Sequence, residues 1–173
     1  RRLTTAGKRG RSGAHPAHQR NGDGSAMRQY LVREIMSEPA VVIDWGVSVL
    51  NASALMQTPP IRRLPVIDDE GVVIGVISLG DVREATSLYN TASPYAPDSD
   101  EVLMAVDEVM TTPAITVGPD DTLRHVVWLM LEHKIGGIPV VDAGGHPLGM
   151  VTESSVFRLL LQLWDETPNA PAP

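Results

Sequence analysis

Four apolar, β-branched runs, arranged in two pairs around turn sequences, dominate the hydrophobic pattern of the chain and predict strands. They are Leu64–Ile67, Val72–Leu79, Ile138–Val141 and Leu148–Thr152. Asp68–Gly71 and Asp142–Gly145 lie between the members of each pair, and their Asp and Gly residues favour tight turns. Each half of the chain is therefore expected to contain two strands around one turn.

Apolar residues at helical spacing flank each pair of strands and predict amphipathic helices. These helices are expected at about Val47–Gln57, from near Asp81, at about Thr122–Glu132 and from near Ser154. A short extended piece, Ala40–Ile43 in the first unit and Ala114–Val117 in the second, precedes each first helix. The predicted fold class is α/β (α+β), with the element order β-α-β-β-α occurring twice.

The two halves also match residue by residue, at a shift of 74 positions. The matching blocks are Val32–Pro39 with Val106–Pro113, Leu64–Asp68 with Ile138–Asp142, and Gly75–Ser78 with Gly149–Thr152. Three blocks in one register without a gap indicate an internal duplication.

Two predicted helices of the second half carry apolar residues on most of their circumference. One stripe of the first helix holds Leu123, Val126, Val127 and Met130, and a second stripe holds Trp128, Leu129 and Leu131. The last helix includes the nearly continuous apolar run Val156–Trp164. A helix of this kind needs burial on two sides, so the second face is expected to meet the other copy or another chain, and a homodimer is predicted.

Segments without apolar periodicity separate and flank the two units. Residues 1–26 are rich in Gly, Arg, Ser and His, and they are interpreted as a disordered basic tail or a vector-derived segment. Residues 27–90 form the first unit and residues 106–166 the second. Residues 91–105 are expected to be a linker with a short helix at about Ser99–Ala105, and residues 167–173 a disordered tail.

Composition and charge narrow the functional classes. The net charge is −7, yet residues 1–28 hold seven of the 14 basic residues and one acidic residue, so the rest of the chain is strongly acidic. Such a body repels nucleic acid and anionic membranes, and neither is expected as a partner. No apolar run is long enough to cross a membrane and no signal-peptide pattern opens the chain, so a cytoplasmic location is expected.

The sequence gives little evidence of catalysis or metal binding. The absence of cysteine excludes disulfides, Cys-ligated zinc and thiol catalysis. His125, His133 and His146 lack metal-ligand spacing, so no metal site is predicted. No nucleophile and base stand together in a recognisable motif, and the chain is not expected to be an enzyme.

The repeated motifs identify a family resemblance. Met36-Ser-Glu-Pro39, Leu64–Asp68 and Gly75–Ser78, each present again 74 positions later, resemble the CBS domain over roughly Val32–Asn90 and Val106–Trp164. The resemblance implies a Bateman module, in which two CBS motifs pack through their sheets around a pseudo-twofold axis and leave two clefts between them. In the family these clefts hold AMP, ADP, ATP, S-adenosylmethionine or nothing, and stand-alone modules pair into disc-shaped dimers. The layout is also similar to the CBS region of acetoin-utilisation-type proteins.

The resemblance carries over to particular residues. Ser78 and Asp81 match the family's ribose site, although Asp81 could instead only cap the helix that it begins. An ionised Asp can accept hydrogen bonds from both ribose hydroxyls. Arg62, three residues before Pro65, stands where nucleotide-binding members often carry a phosphate-contacting basic residue, and Arg63 is a second cation beside it. The alternative is that the two arginines are a solvated loop pair.

The adenine pocket and a second site follow from the same resemblance. The expected adenine-pocket residues are Thr112, Pro113, Ala114, Ile115, Gly137, Ile138 and Pro139. A weaker second site is expected at Val41, Thr152 and Ser155. Ser155 occupies the position of the expected Asp and is a poor acceptor for a diol.

The sequence therefore predicts a regulatory module without a cofactor. It is expected to bind an adenine nucleotide (AMP, ADP or ATP) as a regulatory ligand and to signal energy state to an unidentified partner protein. A structural dimerisation module with empty clefts and an S-adenosylmethionine sensor remain as alternatives.

Overall fold

The computed structural model of the protein describes residues 30–57, 60–92 and 104–165. The strands are β1 (Ile43–Asp44), β2 (Arg63–Ile67), β3 (Val73–Ser78), β4 (Gly137–Val141) and β5 (Pro147–Thr152). The helices are α1 (Val49–Leu55), α2 (Leu79–Ala92), α3 (Leu123–His133) and α4 (Glu153–Asp165). Two single-turn 3-10 helices, Val32–Glu34 and Val106–Glu108, precede the first strand position of each copy.

The sheets confirm the repeated β-α-β-β-α order. In the first copy β1 runs parallel to β2, and β2 runs antiparallel to β3. In the second copy β4 and β5 are antiparallel, and Val117 forms a single parallel bridge with Val140. Val117 is the counterpart of Ile43, so the first strand of the second copy is reduced to one bridge. The extended pieces expected from Ala40 and Ala114 are thus shorter than the pattern suggested.

Aspartate side chains close the two predicted turns. Asp68 accepts backbone N–H bonds from Glu70 and Val72 at 3.1 and 2.9 Å. Asp142 likewise accepts from the backbone of Gly144 and His146 at 2.8 and 2.9 Å. The bond from the His146 backbone is the largest cause that lowers the pKa of Asp142 below its ordinary value. These bonds satisfy turn donors that no ladder partner reaches.

The helices begin and end close to their expected positions. Ser48 and Thr122 cap α1 and α3, each accepting a backbone N–H at 3.3 Å. Helices α2 and α4 follow their strands directly, so α2 begins two residues before Asp81, and it continues to Ala92. The short helix predicted at Ser99–Ala105 lies largely outside the described residues.

The segment that opens each copy packs against the other copy. The backbone N–H of Val32 donates to Asp121 at 2.9 Å, and the N–H of Val106 donates to Val47 at 2.8 Å. These two bonds are related by the same 74-residue shift. As a result, Val32 lies in the hydrophobic core of the second copy, whereas Val106 lies in the core of the first. The exchange is the clearest expression of the pseudo-twofold symmetry.

The methionine-containing loops continue this exchange. Ser37 forms two backbone hydrogen bonds with Met150 of β5, at 2.8 and 3.0 Å, and Thr111 forms two with Val76 of β3, at 2.9 and 3.0 Å. Both copies have a glycine at the matching position, Gly75 in the first and Gly149 in the second. A side chain does not fit at Gly149, because its Cβ would collide with the backbone carbonyl of Ser37. The pairing brings the loop after Met110 alongside β3, and a cleft opens at that seam.

Candidate functional site

A cavity of about 210 Å³ lies at the seam between the two copies. The first copy contributes Arg63, Val76, Ser78 and Asp81 to its lining. The second copy contributes Thr111, Pro113, Ala114, Ile115, Lys134, Ile135, Gly136 and Gly137. Its walls therefore combine one carboxylate, two cations and a mainly apolar surface.

Ser78 and Asp81 form a reciprocal helix cap at one side of this cavity. The Asp81 Oδ2 atom accepts the backbone N–H of Ser78 at 2.7 Å, and the Asp81 N–H donates to the Ser78 hydroxyl at 3.3 Å. The arrangement matches a capping box. Over residues 30–57, 60–92 and 104–165, Oδ1 of Asp81 has no hydrogen-bond partner. Asp81 thus caps α2 with one oxygen, and its side chain lines the cavity.

The same cap in the second copy leaves less to offer a ligand. The Thr152 and Ser155 hydroxyls lie 3.2 Å apart, and each accepts the backbone N–H of the other residue at 3.3 Å. Ser155 is only 7% exposed and lines a separate cavity of about 230 Å³ that also contains Arg158. Val41 is 37% exposed. A single hydroxyl already engaged in the cap cannot receive two ribose hydroxyls as a carboxylate does.

The two cations approach the cavity from opposite copies. Arg63 begins β2 and extends over the paired glycines of the second copy, so that a Cβ on Gly136 would lie 2.5 Å from its Nη2 atom. A Cβ on Gly137 would lie 2.9 Å from the Cδ atom of Arg63. Lys134 ends α3 in the left-handed conformation, with φ of 56°. In the described part of the chain neither Arg63 nor Lys134 takes part in a salt bridge.

Seven of the residues predicted to bind ligand line this cavity. They are Arg63, Ser78, Asp81, Pro113, Ala114, Ile115 and Gly137. The structure brings the ribose, phosphate and adenine candidates of the first site to one place.

Four other predicted residues are not among those lining the cavity. Arg62 precedes β2 and is exposed, and its carbonyl accepts the N–H of Leu79 at 2.9 Å. The Thr112 hydroxyl donates to the carbonyl of Ile74 at 3.0 Å. Ile138 is fully buried in the core of the second copy, because alternate residues of β4 face opposite sides of the sheet. Pro139, the next residue of β4, is also buried.

Sequence reasoning missed four lining residues, namely Val76, Thr111, Lys134 and Ile135. Gly136, which also lines the cavity, directly precedes the predicted Gly137. Lys134 could have been recognised from the sequence, since it is the one lysine in the acidic part of the chain after residue 28 and directly precedes Ile135 and two glycines. Thr111 could be found only from the pairing of its loop with β3, which joins residues of different copies.

Within the described ranges no three His, Asp or Glu side chains converge on a possible metal position. No helix there is long and apolar enough to span a bilayer.

Relatives of the chain differ in how much of their length it matches. A CBS domain-containing protein of Dictyostelium discoideum is 30% identical over 144 residues, which are 80% of this chain and 96% of that protein. The L-aspartate semialdehyde sulfurtransferase of Methanocaldococcus jannaschii is 28% identical over 129 residues, which are 75% of this chain but 23% of the enzyme. The chain therefore spans less than a quarter of that enzyme's length.

Solved structures with the same fold include two ligand complexes. A CBS domain pair in complex with 5-methylthioadenosine and S-adenosyl-L-methionine is 27% identical, with a TM-score of 0.67 over 78% of this chain and 98% of that chain. CBSX2 in complex with AMP is 29% identical, with a TM-score of 0.61 over 78% and 98%. An acetoin utilization protein from Vibrio cholerae, 23% identical with a TM-score of 0.68 over 81% and 98%, shares the fold.

The family itself is established by the two repeats. The CBS domain model matches residues 32–87 and again residues 106–162, more than half of the chain. These ranges hold the exchanged opening segments, the paired strands and most of the capped final helices described above. The chain belongs to the CBS domain family and carries two copies of the domain.

Proposed function

We propose that this chain is a non-catalytic regulatory module of the cytoplasm that binds an adenine nucleotide (AMP, ADP or ATP) between its two CBS domains. One observation carries the proposal: Asp81, whose Oδ1 has no hydrogen-bond partner among the described residues, lines a cavity that also holds cations and apolar walls. A ribose, a phosphate and a purine need these three kinds of surface.

The ribose is assigned to the cap at the start of α2. The free Oδ1 of Asp81 accepts hydrogen bonds from the 2′- and 3′-hydroxyls, while Oδ2 stays on the Ser78 N–H. Each charge-assisted bond contributes about 1.5–3 kcal/mol in a desolvated setting. The Ser78 hydroxyl accepts from the Asp81 N–H and keeps its own proton to donate.

The adenine ring is assigned to the apolar wall formed by both copies. Val76 of β3 faces the cavity from the first copy, and Pro113, Ala114 and Ile115 face it from the second. A purine is recognised by packing against such surfaces and by a few backbone groups. Because the ring touches both copies, a bound nucleotide stabilises the seam at the Val76–Thr111 bridge. This coupling supplies the signal of energy state to a partner protein.

A homodimer is part of the proposal. Trp128 and Leu131 on α3 are 54% and 75% exposed, although the remaining apolar residues of that helix are mostly buried. Phe157 and Trp164 on α4 are 61% and 59% exposed. The two-sided apolar helices predicted from the sequence thus bury one side in the core, and we assign the other side to a second copy of the chain.

S-adenosylmethionine is the second candidate ligand. The similar CBS pair in complex with 5-methylthioadenosine and S-adenosyl-L-methionine supports it. Its ribose fits the same Asp81 site, so the choice depends on the rest of the ligand. A structural module with empty clefts is the remaining alternative. Ser155 occupies the position where an Asp is expected, and this favours an empty second cleft.

Thermal shift and titration calorimetry test the proposal directly. AMP, ADP, ATP and S-adenosylmethionine are each added to the purified chain, with GMP and 2′,3′-dideoxyadenosine as matched controls. A ligand present at 100 times its Kd raises the free energy of unfolding by about 2.7 kcal/mol, or roughly 5–10 °C in Tm for a chain of this size. No shift with any adenine ligand at millimolar concentration would contradict nucleotide binding.

A further inference from the structure

A larger cavity, of about 580 Å³, lies at the carboxyl end of β4, away from the proposed nucleotide site. Its apolar lining residues are Val117, Pro119, Val141, Ala143 and Leu148, and we call it the Pro119 cavity. Its volume lies within the range of ligand pockets, about 300–1,000 Å³. It is therefore large enough to hold an aromatic side chain.

The first copy shows how the chain itself fills the equivalent position. The 74-residue shift matches Trp45 with Pro119 and Asp69 with Ala143. The Trp45 indole Nε1–H donates to the Oδ1 atom of Asp69 at 3.3 Å. The indole thus spans the counterparts of two residues that line the Pro119 cavity. The second copy has neither this indole nor its acceptor.

The backbone follows the same course at both positions. The carbonyl of Trp45 accepts the N–H of Asp107 at 3.1 Å, and the carbonyl of Pro119 accepts the N–H of Arg33 at 3.0 Å. These two hydrogen bonds are related by the 74-residue shift. The open cavity of the second copy therefore results from a smaller side chain and not from a different loop.

The second copy also lacks one backbone hydrogen bond at this place. In the first copy the N–H of Trp45 donates to the carbonyl of Ile67 at 3.1 Å. Pro119 has no N–H, so the carbonyl of Val141, the counterpart of Ile67, lacks this donor. An occupant of the Pro119 cavity can supply both an aromatic ring and the missing N–H.

The charge of the cavity indicates which kind of occupant it attracts. Asp120, Asp121 and Asp142 contribute to the lining. Asp120 pairs with Arg33 at 2.7 Å, whereas Asp121 accepts only a backbone N–H, from Gly118 at 2.7 Å, among the bonds of the described residues. The carboxylates do not converge as metal ligands, since the described residues include no group that could hold a metal ion. They therefore favour a basic peptide over a metal ion.

We infer that the Pro119 cavity docks a partner protein through a tryptophan side chain flanked by lysine or arginine. The tryptophan ring takes the place that Trp45 has in the first copy, and a peptide N–H of the partner donates to the carbonyl of Val141. The flanking cations lie beside the aspartates of the rim. The inference goes beyond the proposed function, which leaves the partner unassigned, and docking does not require a bound nucleotide.

The position of the cavity suits a partner of a regulatory module. Two stretches of the second copy run from the nucleotide cavity to the Pro119 cavity. One begins with Ala114 and ends with Val117, and the other is β4, from Gly137 to Val141. The same two segments therefore contact both proposed binding sites.

A titration of the ¹⁵N-labelled chain, followed by NMR, tests the docking with a blocked Lys-Trp-Lys peptide. The backbone amide signals of Gly118 and Ala143 should shift, with a Kd of about 0.1–1 mM. Replacing the tryptophan of the peptide by alanine should weaken binding at least about tenfold. Replacing both of its lysines by glutamate should weaken binding by a similar factor.

A double variant of the chain transfers the internal occupant to the second copy. Pro119→Trp with Ala143→Asp reproduces the Trp45–Asp69 pair, so the chain's own indole fills the cavity and the peptide-induced shifts should disappear. Because the backbone at the two positions matches, the Tm of the double variant should not fall. Ala143→Asp alone is the matched control, since this exposed position gains a carboxylate while the cavity stays open. It should bind the peptide at least as tightly as the parent chain.

Several outcomes overturn the inference. They are no shifts at about 10 mM peptide, shifts centred away from the cavity, equal binding of the alanine peptide, continued binding by the double variant, and loss of binding in the control. Tryptamine that bound about tenfold more tightly than the peptide would assign the cavity to a small aromatic amine. Loss of the parental mass in light scattering of the double variant would assign it to a second copy. AMP affinity is measured on the same samples, so a failure of the proposed function is seen separately.

Discussion

Replacing Asp81 by alanine separates the two roles that the structure gives this side chain. One carboxylate oxygen caps α2 through the Ser78 N–H at 2.7 Å, and the side chain also lines the cavity, where we propose that the other oxygen binds the ribose. Ser155→Ala is a matched control, because Ser155 caps α4 through the Thr152 N–H in the same geometry but offers no carboxylate. Both variants lose a helix cap, whereas only Asp81→Ala loses an acceptor for a ribose diol.

The two losses have different sizes. Removing a capping side chain costs about 1 kcal/mol of unfolding free energy, which is roughly 2–4 °C in Tm for a chain of this size. Removing the acceptor of two charge-assisted hydrogen bonds costs about 2–4 kcal/mol of binding free energy, after a discount because the half-buried carboxylate is partly solvated. That is about 30- to 1,000-fold in Kd.

Calorimetry and thermal unfolding of both variants with AMP measure the two effects separately. The two Tm values without ligand should fall together, and AMP affinity should fall only in Asp81→Ala. Parental AMP affinity in Asp81→Ala would refute the reasoning, since Asp81 would then be only a helix cap. If the parent chain bound AMP at two equal sites, Ser155 would be sufficient for binding in the second cleft. The prediction that the two clefts differ would then be wrong.

Three further predictions concern assembly and folding. Light scattering at micromolar concentration should give the mass of a dimer. Leu131→Asp should shift this mass to that of a monomer, whereas the control Glu132→Gln, at an exposed position, should leave it unchanged. A monomeric parent chain would contradict the assigned interface. Deleting residues 1–26 should leave Tm and AMP affinity unchanged, and a drop of several degrees would make that segment part of the fold. Gly149→Ala should cost about 2 kcal/mol in urea unfolding because it breaks the two bonds between Ser37 and Met150, whereas Gly46→Ala, with nothing within 4 Å of the new Cβ, should cost under about 0.5 kcal/mol.

The repeated fold could be predicted because its signals are local. The apolar alternation and the Asp and Gly turns are each encoded within a few residues, and they predict the β-α-β-β-α order. The matching blocks show that this order occurs twice. Boundaries were less accurate where a helix follows a strand directly: α2 begins at Leu79 and not near Asp81. In that arrangement no loop residue marks the change, and Ser78 serves both as the strand end and as the helix cap.

The site was harder to predict because its walls come from different copies. Family position pointed to Arg62, with Arg63 as its neighbour, but the strand begins at Arg63, and only Arg63 lines the cavity. Ile138 was grouped with Gly137 by adjacency, although alternation along β4 sends it into the core. Thr111 enters the cavity through the pairing of its loop with β3, and no local pattern encodes that.

The inequality of the two clefts follows from the symmetry that relates them. Arg63 lies over Gly137, its own counterpart under the pseudo-twofold axis, with its Cδ atom 2.9 Å from the position of a Gly137 Cβ. An arginine at both positions would direct two long side chains and two like charges into the same space beside the axis. In this chain one copy carries the cation, and the glycine at the matching position of the other copy leaves room for it. The cleft that gains Arg63 is also the one that retains Asp81, so a single site per chain accounts for both differences.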